Sequence, residues 1–129
     1  MDADARREEL DQITHSVIGC AMKVGNVLGC GFLEKVYENA LAIELRKAGL
    51  KTDQQHLIRV YYDEHAVGEF AADLLVESRV IVELKTAKAL DDVHTAQCLN
   101  YLKATGLLVC LLTNFGRPKV EVKRIVRGF

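Results

Sequence analysis

The 129-residue sequence lacks several features that mark particular protein classes. It has one proline and no tryptophan, and half of its residues are hydrophobic, which argues against a disordered chain. No apolar run approaches the roughly 20 residues that a membrane-spanning helix needs, so no membrane partner is expected. Residues 1–9 are too charged for a signal peptide. We therefore expect residues 1–129 to form a single compact domain.

Neither net charge nor cysteine points to a partner. Seventeen basic and eighteen acidic residues give a formal charge of −1, so nucleic acid would have to bind to a local patch. The cysteines lack the paired spacing of a zinc site. They are Cys20, Cys30, Cys98 and Cys110. All but Cys30 lie in apolar stretches, which indicates buried thiols in a reducing cytoplasm, with disulfides as the minor alternative.

Hydrophobic periodicity predicts three helices and five strands. The helices are expected at about 8–28, 32–48 and 91–104, and the strands at about 55–62, 67–76, 79–85, 107–112 and 119–126. Their order, αα-βββ-α-ββ, predicts an α/β (α+β) domain with one mixed sheet flanked by helices and a core at about 31–126. The inner faces are expected to include Leu33 and Val36 in the second helix, and Val93 and Leu99 in the third.

Charged residues interrupt the apolar second and third strands. Asp73 lies in the second strand, and Glu83 and Lys85, two residues apart, project from one face of the third. Burying these charges would be costly unless they were paired or used. Two carboxylates on neighbouring strands would suit Mg²⁺ or Mn²⁺ better than zinc, with Lys85 facing the reacting group. Alternatively, the hairpin has polar positions on a solvated edge, and Lys85 only pairs with Glu83.

The length of the turn between these strands decides whether the two carboxylates meet. A two-residue loop at Glu77-Ser78 would pair Asp73 with Val82 and place the carboxylates on opposite faces of the sheet. A loop of odd length, or a bulge, would set Asp73 opposite Glu83. The sequence leaves both arrangements open.

Other polar residues have spacings that allow either surface or functional roles. Glu34 and Glu38 share one helix face, either solvated or around a positive group. Gln97 and Tyr101, also four apart, could reach over the sheet, although such residues more often belong to core and surface. A basic C-terminal stretch could follow a phosphate backbone or protect an edge strand. It contains Arg117, Lys119, Lys123, Arg124 and Arg127.

The order of these residues resembles the PD-(D/E)XK nuclease superfamily, in the branch related to recombination exonucleases. A glutamate is followed by an aspartate, then Glu-x-Lys, then Gln-x-x-x-Tyr, and the likeness covers most of the chain from about residue 10. The segment Gly31-Phe32-Leu33-Glu34-Lys35-Val36-Tyr37 looks like the motif that names the GxxExxY protein family. Ala72 stands where the superfamily's name has proline.

This resemblance implies a restriction-endonuclease-like core and a nuclease that cleaves nucleic acid, DNA rather than RNA, with metal-activated water. Asp73, Glu83 and the backbone carbonyl of Leu84 would bind Mg²⁺ or Mn²⁺, and Lys85 would be catalytic. Glu34 would be the helix-borne acid, with Glu38 as its rival, and Gln97 and Tyr101 would match the auxiliary motif. The alternative is a catalytically silent module that binds nucleic acid or protein. A homodimer or a protein partner would enlarge the surface of so small a domain.

Overall fold

The computed structural model describes residues 2–128, and they contain three helices and five strands. These are α1 (Ala3–Leu28), α2 (Glu34–Lys47), β1 (Thr52–Tyr62), β2 (His65–Val76), β3 (Val80–Lys85), α3 (Asp92–Thr105), β4 (Val109–Asn114) and β5 (Glu121–Val126). The predicted order is confirmed, with boundaries that shift by a few residues. Within this part of the chain, no helix combines the length and the apolar character needed to cross a bilayer.

The strands form one mixed sheet in the order β1-β2-β3-β4-β5. β3 and β4 run parallel and are joined through α3, whereas the other neighbours are antiparallel. β1 and β2 pair along nearly their whole length, but β2 pairs with β3 only over Leu74–Val76. The β1–β2 hairpin therefore continues past the point where β3 leaves it.

Helices cover both faces of the sheet. α1 and α2 enclose one core, in which the rings of Tyr37 and Phe115 stack at 4.8 Å. The Tyr37 hydroxyl donates to the Gly29 carbonyl (2.6 Å) and accepts from the Phe32 N–H (3.2 Å), which ties the corner between α1 and α2. This corner fixes where α2 begins, and so where Glu34 lies in its first turn.

The second core lies between α3 and the opposite face of the sheet. It contains the buried thiols Cys98 and Cys110, as predicted, whereas Cys20 beside α2 is only partly buried. The four cysteines are free. Burial of two thiols in an apolar layer fits their use as small hydrophobic side chains.

The predicted inner faces of α2 and α3 are partly wrong, although Leu41 of α2 and Leu102 of α3 are buried. The side chains of four residues assigned to them are exposed: Leu33 (82%), Val36 (40%), Val93 (73%) and Leu99 (43%). In α2, Tyr37 and Leu41 already fill the side toward the sheet. In α3 that side carries Cys98, Tyr101 and Leu102, because the helix is rotated from the predicted orientation. The rotation turns a polar side chain, Tyr101, toward β3.

The chain that follows β3 is held against the end of β4. The buried side chain of Asn114 accepts from the N–H groups of Ala87 and Gly116 (both 3.0 Å) and donates to the Ala87 carbonyl (2.9 Å). Asn114, expected in a loop, is the last residue of β4. A Cβ at Gly116 would lie 2.5 Å from the Ala87 carbonyl oxygen. These contacts position the backbone that follows Lys85.

Gly116→Ala should lower the free energy of unfolding by about 1–3 kcal/mol, because its Cβ would meet backbone atoms that cannot rotate away. Gly19→Ala, in α1 with no neighbouring atom within 4 Å of the new Cβ, should instead raise it by roughly 0.5–1 kcal/mol. Urea denaturation of both variants checks the pair. Equal midpoints for the two variants would contradict the packing described here.

Candidate active site

The turn between β2 and β3 has the odd length that the site requires. Residues 77–79 form a three-residue turn, and the register of the two strands pairs Leu74 with Val82. Carried one pair further, the same register sets Asp73 opposite Glu83. Of the two arrangements that the sequence left open, the structure therefore has the one in which the carboxylates of Asp73 and Glu83 lie opposite each other.

At this position carboxylates replace the backbone hydrogen bonds between β2 and β3. Glu83 Oε1 accepts from the Asp73 N–H, and Asp73 Oδ2 accepts from the Leu84 N–H, both at 2.9 Å. Each side chain thus binds the backbone of the opposite strand. The two reciprocal bonds hold both carboxylates in one gap, where the strands begin to separate.

The regular alternation of side chains between the two faces of the sheet is interrupted in β2 at Asp73. Ala72 packs under α3 and Leu74 packs under α1 and α2, although alternate residues of a regular strand share a face. In the neighbouring strand, Gln55 has a φ of 52°, a left-handed conformation that is uncommon for glutamine. Its amide nitrogen lies 3.3 Å from Asp73 Oδ1. Sequence reasoning missed Gln55, whose only signal was a pair of adjacent glutamines at the start of the predicted strand.

Burial makes it costly for both carboxylates to be ionised. Burial, and next the Asp73 carboxylate, raise the pKa of Glu83 to about 8, against the opposing effect of the Asp73 N–H. Burial also raises the pKa of Asp73, while the hydrogen bond from Leu84 lowers it. Two such acids can both be ionised at neutral pH only when a cation compensates them.

The ligand set fits a small hard cation. Two carboxylates and a nearby backbone carbonyl are oxygen ligands, and Mg²⁺ usually binds one or two carboxylates and keeps several waters. Within residues 2–128, no three acidic, histidine or cysteine side chains gather closely enough to form an all-protein cage. The donors therefore match a partly hydrated Mg²⁺ or Mn²⁺ site better than a structural zinc site.

Glu38 is a buried acid whose carboxylate is already engaged. It accepts hydrogen bonds from Lys35 (2.9 Å), Gln54 (2.8 Å) and Gln55 (2.7 Å). Through Gln55 it connects to Asp73, so it can orient the amide that touches that aspartate. Glu38 is thus held in a hydrogen-bond network that reaches Asp73, and the choice between Glu34 and Glu38 as the acid of the site stays a prediction.

Glu34, in the first turn of α2, lies within electrostatic range of the candidate ligands. Burial and the Asp73 carboxylate raise its pKa, whereas Lys85 lowers it. Lys85 is half-buried at the end of β3 and acts in the same direction on Asp73 and Glu83. Asp73 and Lys85 thus both act electrostatically on Glu34, and the joint role of Glu34, Asp73, Glu83 and Lys85 stays a prediction.

α3 supplies the polar pair expected over the sheet. Gln97 Nε2 donates to the Tyr101 hydroxyl at 3.1 Å. Burial, and then Glu83, raise the pKa of Tyr101, which places the phenol near the carboxylates. The Tyr101 ring also packs against Phe70 of β2, with centroids 5.8 Å apart.

The basic C-terminal stretch is not gathered at this site. Arg117 pairs with Glu121 (3.8 Å), Arg124 pairs with Asp11 (2.8 Å), and Lys123 Nζ donates to the Thr95 hydroxyl. The stretch runs through β5, which is an edge strand. Its charges suit the protection of that edge.

Comparison with known proteins agrees with this arrangement. A sequence profile described as the PD-(D/E)XK nuclease superfamily matches residues 11–125. The chain belongs to this superfamily. Its members are nucleases that generally use divalent metal ions.

The solved structures show the same fold in a nuclease. The crystal structure of an alkaline exonuclease from Laribacter hongkongensis is similar to this chain, with a TM-score of 0.51 and 14% sequence identity. The similarity covers 84% of this chain and 76% of the exonuclease. The predicted restriction-endonuclease-like α+β fold is confirmed. No curated protein sequence matches the chain.

Without divalent metal, the protein should lose stability as the pH rises from about 4.5 to about 8. Because the pKa of Glu83 is higher in the folded state than its ordinary value of 4.5, the folded state binds the proton more tightly. The stability from this group is complete below 4.5 and lost as the pH rises through about 8. The loss should be on the order of a few kcal/mol, and Glu83→Gln should flatten the profile.

Urea denaturation in EDTA, at pH values on either side of this range, measures the effect. Glu64→Gln, an exposed acid in the β1–β2 turn, is the matched control and should follow the wild-type profile. Added Mg²⁺ should stabilise the wild type more than Glu83→Gln at the higher pH, since only the wild type keeps both carboxylates. Parallel profiles for wild type and Glu83→Gln would contradict the assignment.

Proposed function

We propose that this chain is a metal-dependent nuclease that hydrolyses phosphodiester bonds in nucleic acid, with DNA preferred over RNA. The reciprocal hydrogen bonds that hold the carboxylates of Asp73 and Glu83 in one gap, beside Lys85, carry the proposal. The preference for DNA rests on the resemblance to recombination exonucleases. The cofactor would be Mg²⁺ or Mn²⁺.

Asp73, Glu83 and the backbone carbonyl of Leu84 would hold the ion. Bound there, it would supply a water of lowered pKa and a positive charge beside the phosphate. The backbone N–H groups of Asp73 and Leu84 restrain the two carboxylates before any ligand arrives. Such restraint is what outer hydrogen bonds provide to metal ligands in general.

The other site residues would act on the phosphate and on the proton. Hydrolysis forms a bond from the water oxygen to phosphorus and breaks one ester bond, whose oxygen leaves with a proton. The Lys85 ammonium can donate to phosphate oxygens as their charge grows. Glu34 can accept the proton of the attacking water. Gln97 and Tyr101 can donate hydrogen bonds to the phosphate.

The segment from Gly31 to Tyr37 supports a place in the narrower GxxExxY family. Its glutamate, Glu34, lies within electrostatic range of the candidate ligands. Its tyrosine, Tyr37, is buried and ties the corner at which α2 begins. The spacing of the motif therefore couples one acid of the site to the residue that positions its helix.

Glu83→Ala, Asp73→Asn and Lys85→Ala should each reduce cleavage by at least about 100-fold, because each removes a group that acts on the developing charge. Asp53→Asn and Lys51→Ala, exposed residues near the start of β1, are matched controls and should retain wild-type rates. The assay incubates linear DNA, circular DNA and RNA with Mg²⁺ or Mn²⁺.

The outcomes separate the proposal from its alternatives. Equal cleavage by wild type and site variants would exclude this site. Absence of cleavage by the wild type with every substrate and metal would favour a catalytically silent binding module. Faster cleavage of RNA than DNA would reverse the proposed preference.

Glu34→Gln should lower the cleavage rate while leaving the urea midpoint near that of the wild type, because Glu34 is exposed. Glu38→Gln should lower the free energy of unfolding by about 1–3 kcal/mol, since its new amide would face two glutamine donors. Comparing rate and midpoint for both variants distinguishes the two acids. The opposite pattern would make Glu38 the acid of the site.

A further inference from the structure

A groove of about 480 Å³ lies between the β1–β2 hairpin and α3. It is lined by Arg59, Val60, Tyr61, Asn100, Lys103 and Ala104. None of these residues has a role in the candidate active site. The groove nevertheless lies near Tyr101, because Phe70, whose ring packs against Tyr101, pairs with Ile58, the residue beside Arg59 on β1.

The groove presents the groups that bind a nucleotide. Lys103 is exposed and forms no ion pair among the described residues, and Arg59 pairs with the exposed Glu69 and interacts with the Tyr61 hydroxyl. A surface pair of this kind is weak, so the guanidinium can turn to a phosphate. The ring of Tyr61 is 60% exposed and can stack on a base. The Asn100 amide can both donate to and accept from a base edge.

A row of polar side chains connects the groove to the candidate active site. Gln97, Asn100 and Lys103 follow one another at intervals of three along α3, and residues three apart are neighbours on a helix surface. The row starts at Gln97, whose amide binds the Tyr101 hydroxyl. A nucleic-acid strand that enters the site beside Tyr101 can therefore continue along α3 into the groove.

We propose that the groove binds one nucleotide of a single-stranded segment next to the bond that is cut. Its base stacks on Tyr61, and its phosphate contacts Lys103 and Arg59. A cavity of this volume suits a ligand the size of a nucleotide. The inference rests on the proposed function, because it assumes a nucleic-acid substrate.

Fluorescence anisotropy with a labelled oligothymidylate, in Ca²⁺ instead of Mg²⁺, tests the groove. Tyr61→Ala should weaken binding about tenfold, the usual loss for one stacked base, and Tyr61→Phe should not. Tyr62→Ala is the matched control, since Tyr62 is 75% exposed on the same strand but does not line the groove. Lys103→Ala should reduce the slope of log K against log salt concentration by about 0.7, and Lys51→Ala should leave it unchanged.

Each result separates this inference from the proposed function. If the wild type binds and cleaves but Tyr61→Ala and Lys103→Ala behave like it, the inference fails and the nuclease remains. If both variants weaken binding of a blunt duplex as much as of the single strand, the groove does not select single strands. If the wild type neither binds nor cleaves any nucleic acid, both proposals fail.

Discussion

The separation of β2 from β3 by the buried carboxylate of Glu83 and the half-buried carboxylate of Asp73 is the constraint on which the site depends. Asp73 and Glu83 take the hydrogen bonds that backbone groups would otherwise make between these strands. Burial makes both charges unfavourable, so the arrangement fits a protein whose most stable form has a cation bound there. Beyond this gap the β1–β2 hairpin no longer pairs with β3, and Phe70 of the hairpin packs against Tyr101 of α3.

Supporting contacts reach the gap from both faces of the sheet. On one face, Tyr37 ties the start of α2, whose first turn carries Glu34, while Glu38 accepts a hydrogen bond from Gln55. At the end of β3, Asn114 secures the chain that follows Lys85. Contacts between residues that are distant in the sequence therefore help to position Glu34, Gln55 and Lys85. A small domain can hold a site this way without additional elements.

The element order could be predicted, and the candidate site residues could be singled out, because both leave local signals. Periodicity marks helices and strands, and a charge inside an apolar run is conspicuous at any position, as at Glu83. The turn length could not be predicted, because Glu77 and Ser78 adopt left-handed conformations (φ 54° and 56°) that their residue types do not announce. The inner face of α3 was also misjudged, since tertiary contacts of Tyr101 override the apolar positions Val93 and Leu99.

The near-zero net charge of the chain does not argue against a nucleic-acid substrate. In the proposed site, Glu34, Asp73 and Glu83 oppose one lysine, and the two excess negative charges equal those that a divalent ion neutralises. Without the ion, burial favours the protonated form of Glu83, and the carboxylates of Asp73 and Glu34 still oppose a phosphate. With the ion bound and all three acids ionised, the charge of the site no longer opposes one. The cations that contact the strand can then be few and local, such as Lys85 and Lys103. Binding of the metal should accordingly strengthen binding of nucleic acid, and the reverse. The net charge of the whole chain gives no sign of this coupling, because it sums over charges far from the site.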